Sequence, residues 1–137
     1  MRLKIVLDTN AIISALGRKS PYKTIIDKLL EDKYDLFVTT EILLEYEEKI
    51  VELHNTVIAE TFLDFLSILP NVHPCTVYYR FLLINQDDDD DKFADCAIAQ
   101  GVHYLVTDDK HYNVLLKLGF PKVNLLTIKE FYTLLSS

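Results

Sequence analysis

The chain has 137 residues, half of them hydrophobic, and a formal net charge of −7 at pH 7; that is enough apolar material for one core and predicts a single domain over residues 1–137. The acidic balance argues against a broad basic surface for nucleic acid, and the apolar run 3–7 is too short for a secretion signal or a membrane span, so a cytoplasmic location without a membrane anchor is expected. Cys75 and Cys96 have no CxxC spacing and cannot by themselves make a disulfide framework or a four-ligand zinc site; both are read as reduced structural thiols.

The run Leu3, Lys4, Ile5, Val6, Leu7 has strand length and stops at Asp8-Thr9-Asn10, residue types suited to a turn and a helix start. A short helix is expected over 11–16, then a break over 17–20. Ser20-Pro21 predicts a second helix with a cap and an N1 proline, its buried stripe formed by Ile25, Ile26, Leu29 and Leu30. A second strand over 34–38 runs into Thr39-Thr40-Glu41, which opens a helix carrying Glu45. The stretch 40–69 predicts two helices broken near His54-Asn55-Thr56 and ended by Pro70. Pro74 makes an edge strand of 72–77.

The aspartate run 87–91 predicts a solvated segment at Asp87 and Asp88, because mutual repulsion favours extension. A helix over 91–100 then leads into a strand over 102–106, which ends in Thr107-Asp108-Asp109. A last strand over 123–126 precedes Thr127-Ile128-Lys129-Glu130, a capping-box pattern that announces a final helix. The alternation of strands and helices predicts an α/β fold on a parallel sheet.

In such a sheet Asp8, Glu45, Asp95 and Asp109 come to the carboxyl edge, where ligands bind in open α/β folds. A divalent-metal site is the leading expectation. Each acid also has a plainer explanation. Asp8 is a good turn residue, yet the Asp-Thr-Asn triplet supplies three oxygen groups in succession. Glu41, Glu45, Glu48 and Glu52 share one helix face, and a solvated acidic face accounts for all four. Asp95 borders the apolar stripe of Phe93, Ala94, Ala97 and Ile98, with Asp91 one turn earlier. One of Asp108 and Asp109 is a helix cap, and spacing alone does not choose between them. His54, His73, His103 and His111 lack metal-ligand spacing, and no GxSxG, P-loop or GxGxxG is present. Arg2, Lys4, Arg18, Lys19 and Lys23 are the basic residues near the first strand and helix.

Four stretches in order carry a resemblance: Ile5-Val6-Leu7-Asp8-Thr9-Asn10, Glu41-Ile42-Leu43-Leu44-Glu45-Tyr46, Asp89-Asp90-Asp91-Lys92-Phe93-Ala94-Asp95-Cys96-Ala97 and Tyr104-Leu105-Val106-Thr107-Asp108-Asp109. Together they cover most of the chain and resemble the PIN domains, most closely the VapC-like branch of toxin-antitoxin systems. That resemblance implies a three-layer α/β/α sandwich with a central parallel sheet of four to five strands. It implies a metal-dependent ribonuclease whose acidic positions are Asp8, Glu45, Asp95 and Asp109, with Asp91 as a further candidate, Thr107 at a hydroxyl position and Asn10 completing the first motif. In that branch the positions of Asp108 and Asp91 are often glycine and asparagine; this chain adds charge at both. A small antitoxin partner and a homodimer are implied as well.

Oxygen-only ligands select Mg²⁺ or Mn²⁺ over zinc. The expectation is that Asp8, Asp95 and Asp109 hold metal directly while Glu45 binds a second ion or orients the attacking water. Single-stranded or looped RNA fits an edge cleft. Two other enzyme and signalling classes fit less well. A haloacid-dehalogenase-type phosphotransferase needs an aspartate where Asn10 stands, and a receiver domain expects an acidic pair after the first strand and a lysine where Thr127 stands. A catalytically silent PIN-like protein-binding module is the remaining alternative.

Overall fold

The computed structural model describes residues 2–78, 88–117 and 122–137. Five strands, β1 (Lys4–Leu7), β2 (Asp35–Val38), β3 (Val72–Pro74), β4 (Tyr104–Val106) and β5 (Leu125–Leu126), form one sheet in the order β3-β2-β1-β4-β5, with every neighbouring pair parallel. The helices are α1 (Thr9–Ala15), α2 (Lys23–Leu30), α3 (Thr40–Leu53), α4 (Thr56–Ile68), α5 (Asp88–Gln100) and α6 (Ile128–Ser136), with a 3-10 helix over Lys110–Lys117. Successive strand residues point to opposite faces, and Ile5, Val6 and Leu7 are all fully buried, so both faces of β1 are covered. This is the α/β architecture that the alternation of elements predicts.

From β1 the chain steps outward through β2 to β3, then crosses back to place β4 on the other side of β1. Right-handed crossovers put α5 on the face opposite the helices that link β1, β2 and β3, whereas α6 packs back against α2. The reversal between β1 and β4 is the topological switch point, where a crevice opens beyond the strand ends.

Local chemistry explains where the elements begin and end. The break between α3 and α4 falls as predicted: Asn55 caps α4, its Oδ1 accepting the Ile58 N–H at 2.8 Å. The Thr127–Glu130 capping box opens α6 with both of its reciprocal bonds. Strand β3 does lie at the sheet edge, and it ends at Pro74, short of the predicted residue 77.

Three expectations need correction. Ser20 Oγ accepts the Tyr22 N–H at 3.0 Å, so the chain turns once more after Pro21 and α2 starts at Lys23 instead of at the proline. The strand predicted from residue 102 starts at Tyr104, because Gly101 (φ 58°) closes α5 and the Val102 N–H is spent on the Ala97 carbonyl at 3.1 Å. Asp88 is not in a loop; α5 reaches back to it. Carboxylates at a helix N-terminus meet the positive end of the helix dipole, which offsets their mutual repulsion. Asp87 lies outside the described residues.

Candidate active site

Asp8 follows β1 directly and caps α1. Its backbone N–H donates to the Val106 carbonyl at 3.0 Å, continuing the β1–β4 ladder, and its side chain is 6% exposed. Oδ1 accepts the Asn10 N–H at 3.4 Å and Oδ2 accepts the Thr107 hydroxyl at 2.6 Å. Burial pushes the Asp8 carboxyl above its usual range. The bonds from Thr107 and Asn10 pull it down, the charges of Glu45 and Asp109 push it up again, and the net shift is upward. The charges at Glu45 and Asp109 are thus felt at Asp8, which stands at the switch point.

Glu45 is brought in by α3. Its neighbour Tyr46 is fully buried and donates its hydroxyl to the Leu7 carbonyl at 2.5 Å, which ties this turn of α3 to the end of β1. Glu45 then accepts the Thr9 hydroxyl on Oε2 and faces the Lys92 ammonium, 2.9 Å from Oε1. Its side chain is 19% exposed, whereas Glu41 and Glu48 on the same helix face are exposed to solvent. The solvated-face explanation holds for those two and not for Glu45. Sequence reasoning missed Lys92; its position between an aspartate run and the apolar residues Phe93 and Ala94 was the available signal.

Asp91 and Asp95 stand one turn apart on α5 and are both buried. Helix α5 packs on β1, β2 and β4 and runs antiparallel to β4, so these N-terminal turns lie toward the carboxyl edge. Asp108 and Asp109 part ways. Asp108 is exposed and accepts the Ile128 N–H at 2.8 Å, securing the start of α6. Asp109 turns to the site side: its N–H donates to Thr107 Oγ1 at 3.0 Å, and its Oδ1 accepts the His111 N–H at 2.9 Å. Thr107 therefore orients both Asp8 and Asp109. Asn10 is exposed at the start of α1.

Among the described residues no three His, Cys, Asp or Glu side chains are gathered as a ready-made metal cage. The donor set still fits a hard cation: the side chains that act on Asp8 are carboxylates and a hydroxyl, the His111 imidazole stands against Asp109 with Nδ1 3.2 Å from Oδ1, and the buried Asp8 carboxyl sits beside like charges that a cation would relieve. Of the basic residues noted in the sequence, Arg2 is committed to Asp32 and Asp35, and Lys4 opens β1 at the opposite edge of the sheet. An apolar cleft of about 280 Å³ lies between α2 and α4, lined by Ile26, Leu30, Ile58, Phe65 and Leu69 among others. No described helix is long and apolar enough to cross a membrane.

The fold has solved counterparts. VapBC2 from Rickettsia felis, bound to a DNA fragment from their promoter, superposes with a TM-score of 0.62 at 17% identity, covering 91% of this chain and 98% of that one. DNA-bound VapBC from Salmonella typhimurium gives 0.60 at 14% identity, covering 92% and 98%. The RRP44 PIN domain of T. brucei gives 0.55 at 12%, covering 97% and 80%. No curated protein matches the chain by sequence. The PIN-domain family model matches residues 4–111, which span β1 through Asp109, and on that match the chain belongs to the PIN-domain family.

Proposed function

We propose that the chain is a metal-dependent endoribonuclease and the toxin of a toxin-antitoxin module. PIN domains are generally nucleases. The observation that carries the reading for this chain is the buried Asp8 carboxyl, held by the Thr107 hydroxyl at the switch point of the sheet. Asp8, Asp95 and Asp109 would hold Mg²⁺ or Mn²⁺, with Asp91 as a further ligand candidate. When bound, such an ion supplies Lewis-acid activation of the phosphodiester and of the attacking water.

The chain's own groups do the rest. Thr107 holds Asp8 Oδ2 and the Asp109 backbone, while the Asp109 carboxylate accepts the His111 N–H. Thr9 and Lys92 hold Glu45 in one orientation, from which it can accept a proton from the attacking water. Asn10, exposed beside Asp8, is positioned to donate to a phosphate or base. Single-stranded or looped RNA is the substrate class, because its phosphates and unstacked bases can enter an edge cleft. A cytoplasmic location, a homodimer and an antitoxin partner complete the reading. The partner is supported by the VapBC and FitAB complexes among the solved counterparts and by the apolar cleft between α2 and α4.

The second reading is a catalytically silent PIN-like protein-binding module, and the lack of a preformed cage among the described residues favours it. Cleavage of a labelled RNA panel with Mg²⁺, Mn²⁺ or EDTA, beside Asp8→Asn and Asp95→Asn proteins prepared identically, separates the two. Metal-dependent cutting that both substitutions abolish supports the nuclease. Absence of cutting, with a melting temperature indifferent to either ion, supports the binding module.

A further inference from the structure

The two cysteines have no spacing motif in the sequence, yet they meet in the fold. Their sulfurs lie 3.7 Å apart, in contact and unbonded. Different elements bring them there. Cys75 is the first residue past β3, and its N–H donates to the Val38 carbonyl at 2.8 Å, extending the β2–β3 ladder. Cys96 is fully buried on α5, directly after Asp95. Cys75 is only partly buried, so one member of the pair is open to small solutes.

We infer that Cys75 and Cys96 form a reversible disulfide site, a clamp that fastens the edge strand β3 to α5 under peroxide and opens in a thiol reductant. Bonded sulfurs stand about 2.05 Å apart, which leaves roughly 1.7 Å to close, shared between two side chains. Closing strands no acceptor. The Cys75 thiol donates to the Val38 carbonyl at 3.2 Å, and when that hydrogen is lost the carbonyl keeps the Cys75 N–H. The oxidant is hydrogen peroxide. The Cys75 sulfur takes one of its oxygens as the O–O bond breaks, giving a sulfenic acid and one water. Cys96 then attacks that sulfur, the S–S bond forms, the S–O bond breaks and a second water leaves. Burial pushes both thiols up, which makes the first step the slow one; the second has its partner already in contact. Because Cys96 follows Asp95, the state of the pair sets how firmly this turn of α5 is held to the sheet. The site stands on this geometry and does not depend on the nuclease reading.

The test exposes the purified full chain to excess hydrogen peroxide, then alkylates it, digests it with trypsin and reads the masses. Cleavage after Lys49, Arg80, Lys92 and Lys110 leaves Cys75 in peptide 50–80 and Cys96 in peptide 93–110. The expected product is these two peptides joined, lighter by two hydrogens than the separate pair, from a protein that runs as a single chain on a non-reducing denaturing gel. Dithiothreitol should separate them again. A cross-link between residues 21 positions apart removes loop-closure entropy from the unfolded chain, so the oxidised protein should melt about 5–10 °C higher in EDTA. That rise should vanish with dithiothreitol and in Cys75→Ser; the wild-type masses and melting shift stand by themselves if the variant does not fold. Both thiols still free after hours in peroxide, Cys75 driven to sulfinic acid beside a free Cys96, cross-links only between chains, or a joined protein that melts no higher than the reduced one would each overturn the inference.

Discussion

Replacing Thr107 with valine removes one hydroxyl and keeps the shape of the side chain. In the structure that hydroxyl donates to Asp8 Oδ2 at 2.6 Å and accepts the Asp109 N–H at 3.0 Å, and Thr107 is 5% exposed. A buried hydrogen bond to a charged group contributes about 1.5–3 kcal/mol and a neutral one about 1 kcal/mol. The expected loss is therefore roughly 3 kcal/mol. At about 2.1 cal/mol/K per residue, a chain of 137 residues has an unfolding entropy near 0.3 kcal/mol/K, so the melting temperature should fall by about 10 °C. Calorimetry in EDTA, with Thr107→Ser alongside, measures this without interference from bound metal. The serine variant keeps both bonds and should recover most of the loss. If Thr107→Val melts within 2 °C of wild type, or if serine and valine are equally damaging, the hydroxyl is not what secures Asp8 and the reasoning fails. On the nuclease reading, the same valine should also lower activity about 10–100-fold, the usual effect of removing a group that orients a metal ligand.

Two further outcomes can be checked by denaturation. Asn71 is buried, and its Nδ2 donates to the Leu29 and Tyr34 carbonyls, both at 2.9 Å; Asn71→Ala takes the amide donor from the Tyr34 carbonyl, while the Leu29 carbonyl keeps the Asp32 N–H at 3.1 Å, and should cost roughly 1–3 kcal/mol in urea, whereas a loss under about 0.5 kcal/mol would mean that the Tyr34 carbonyl finds another partner. Asp35 is pushed up by burial, but its bonds from Arg2 and His73 outweigh that and hold the carboxyl below its ordinary value of 3.8. A carboxyl lowered in the fold adds stability above its unfolded value, and that stability disappears as pH falls through the folded one. Asp35→Asn should therefore be less stable than wild type at neutral pH and converge with it in acid; a gap that widens toward low pH would contradict this.

The readable and unreadable parts of the chain differ in the range of the forces that set them. Strand β1 and the turn at Asp8 are legible because an unbroken apolar run ending in Asp-Thr-Asn has few other uses. The α3–α4 break and the α6 capping box are legible because their bonds are local, closing between residues three apart. Glu45 was ambiguous because the helix period makes it equivalent to Glu41, Glu48 and Glu52; only long-range contacts from Thr9 and Lys92 distinguish it. The same holds for Asp108 and Asp109. Their spacing is one residue, and what separates them is that the N-terminus of α6, twenty positions downstream, comes to rest over Asp108. Strand ends were overestimated wherever a helix end claimed an amide first, as the Ala97 carbonyl does with Val102.

The pairing of β1 with β4 also governs when the site comes into existence. Ile5 pairs with Tyr104 and Leu7 with Val106, so the central strand gains its second neighbour only after most of the polypeptide has been made. Contacts of such long sequence separation form slowly, because a large loop must close first. During synthesis at about 5–20 residues per second, a growing chain carries Asp8 and then Glu45 for seconds before Thr107 and Asp109 appear to complete the cluster. An N-terminal fragment truncated before β4 would lack the hydroxyl that orients Asp8 as well as one of the acids. The surroundings of Asp8 are complete only once the last third of the molecule has folded back onto the first strand.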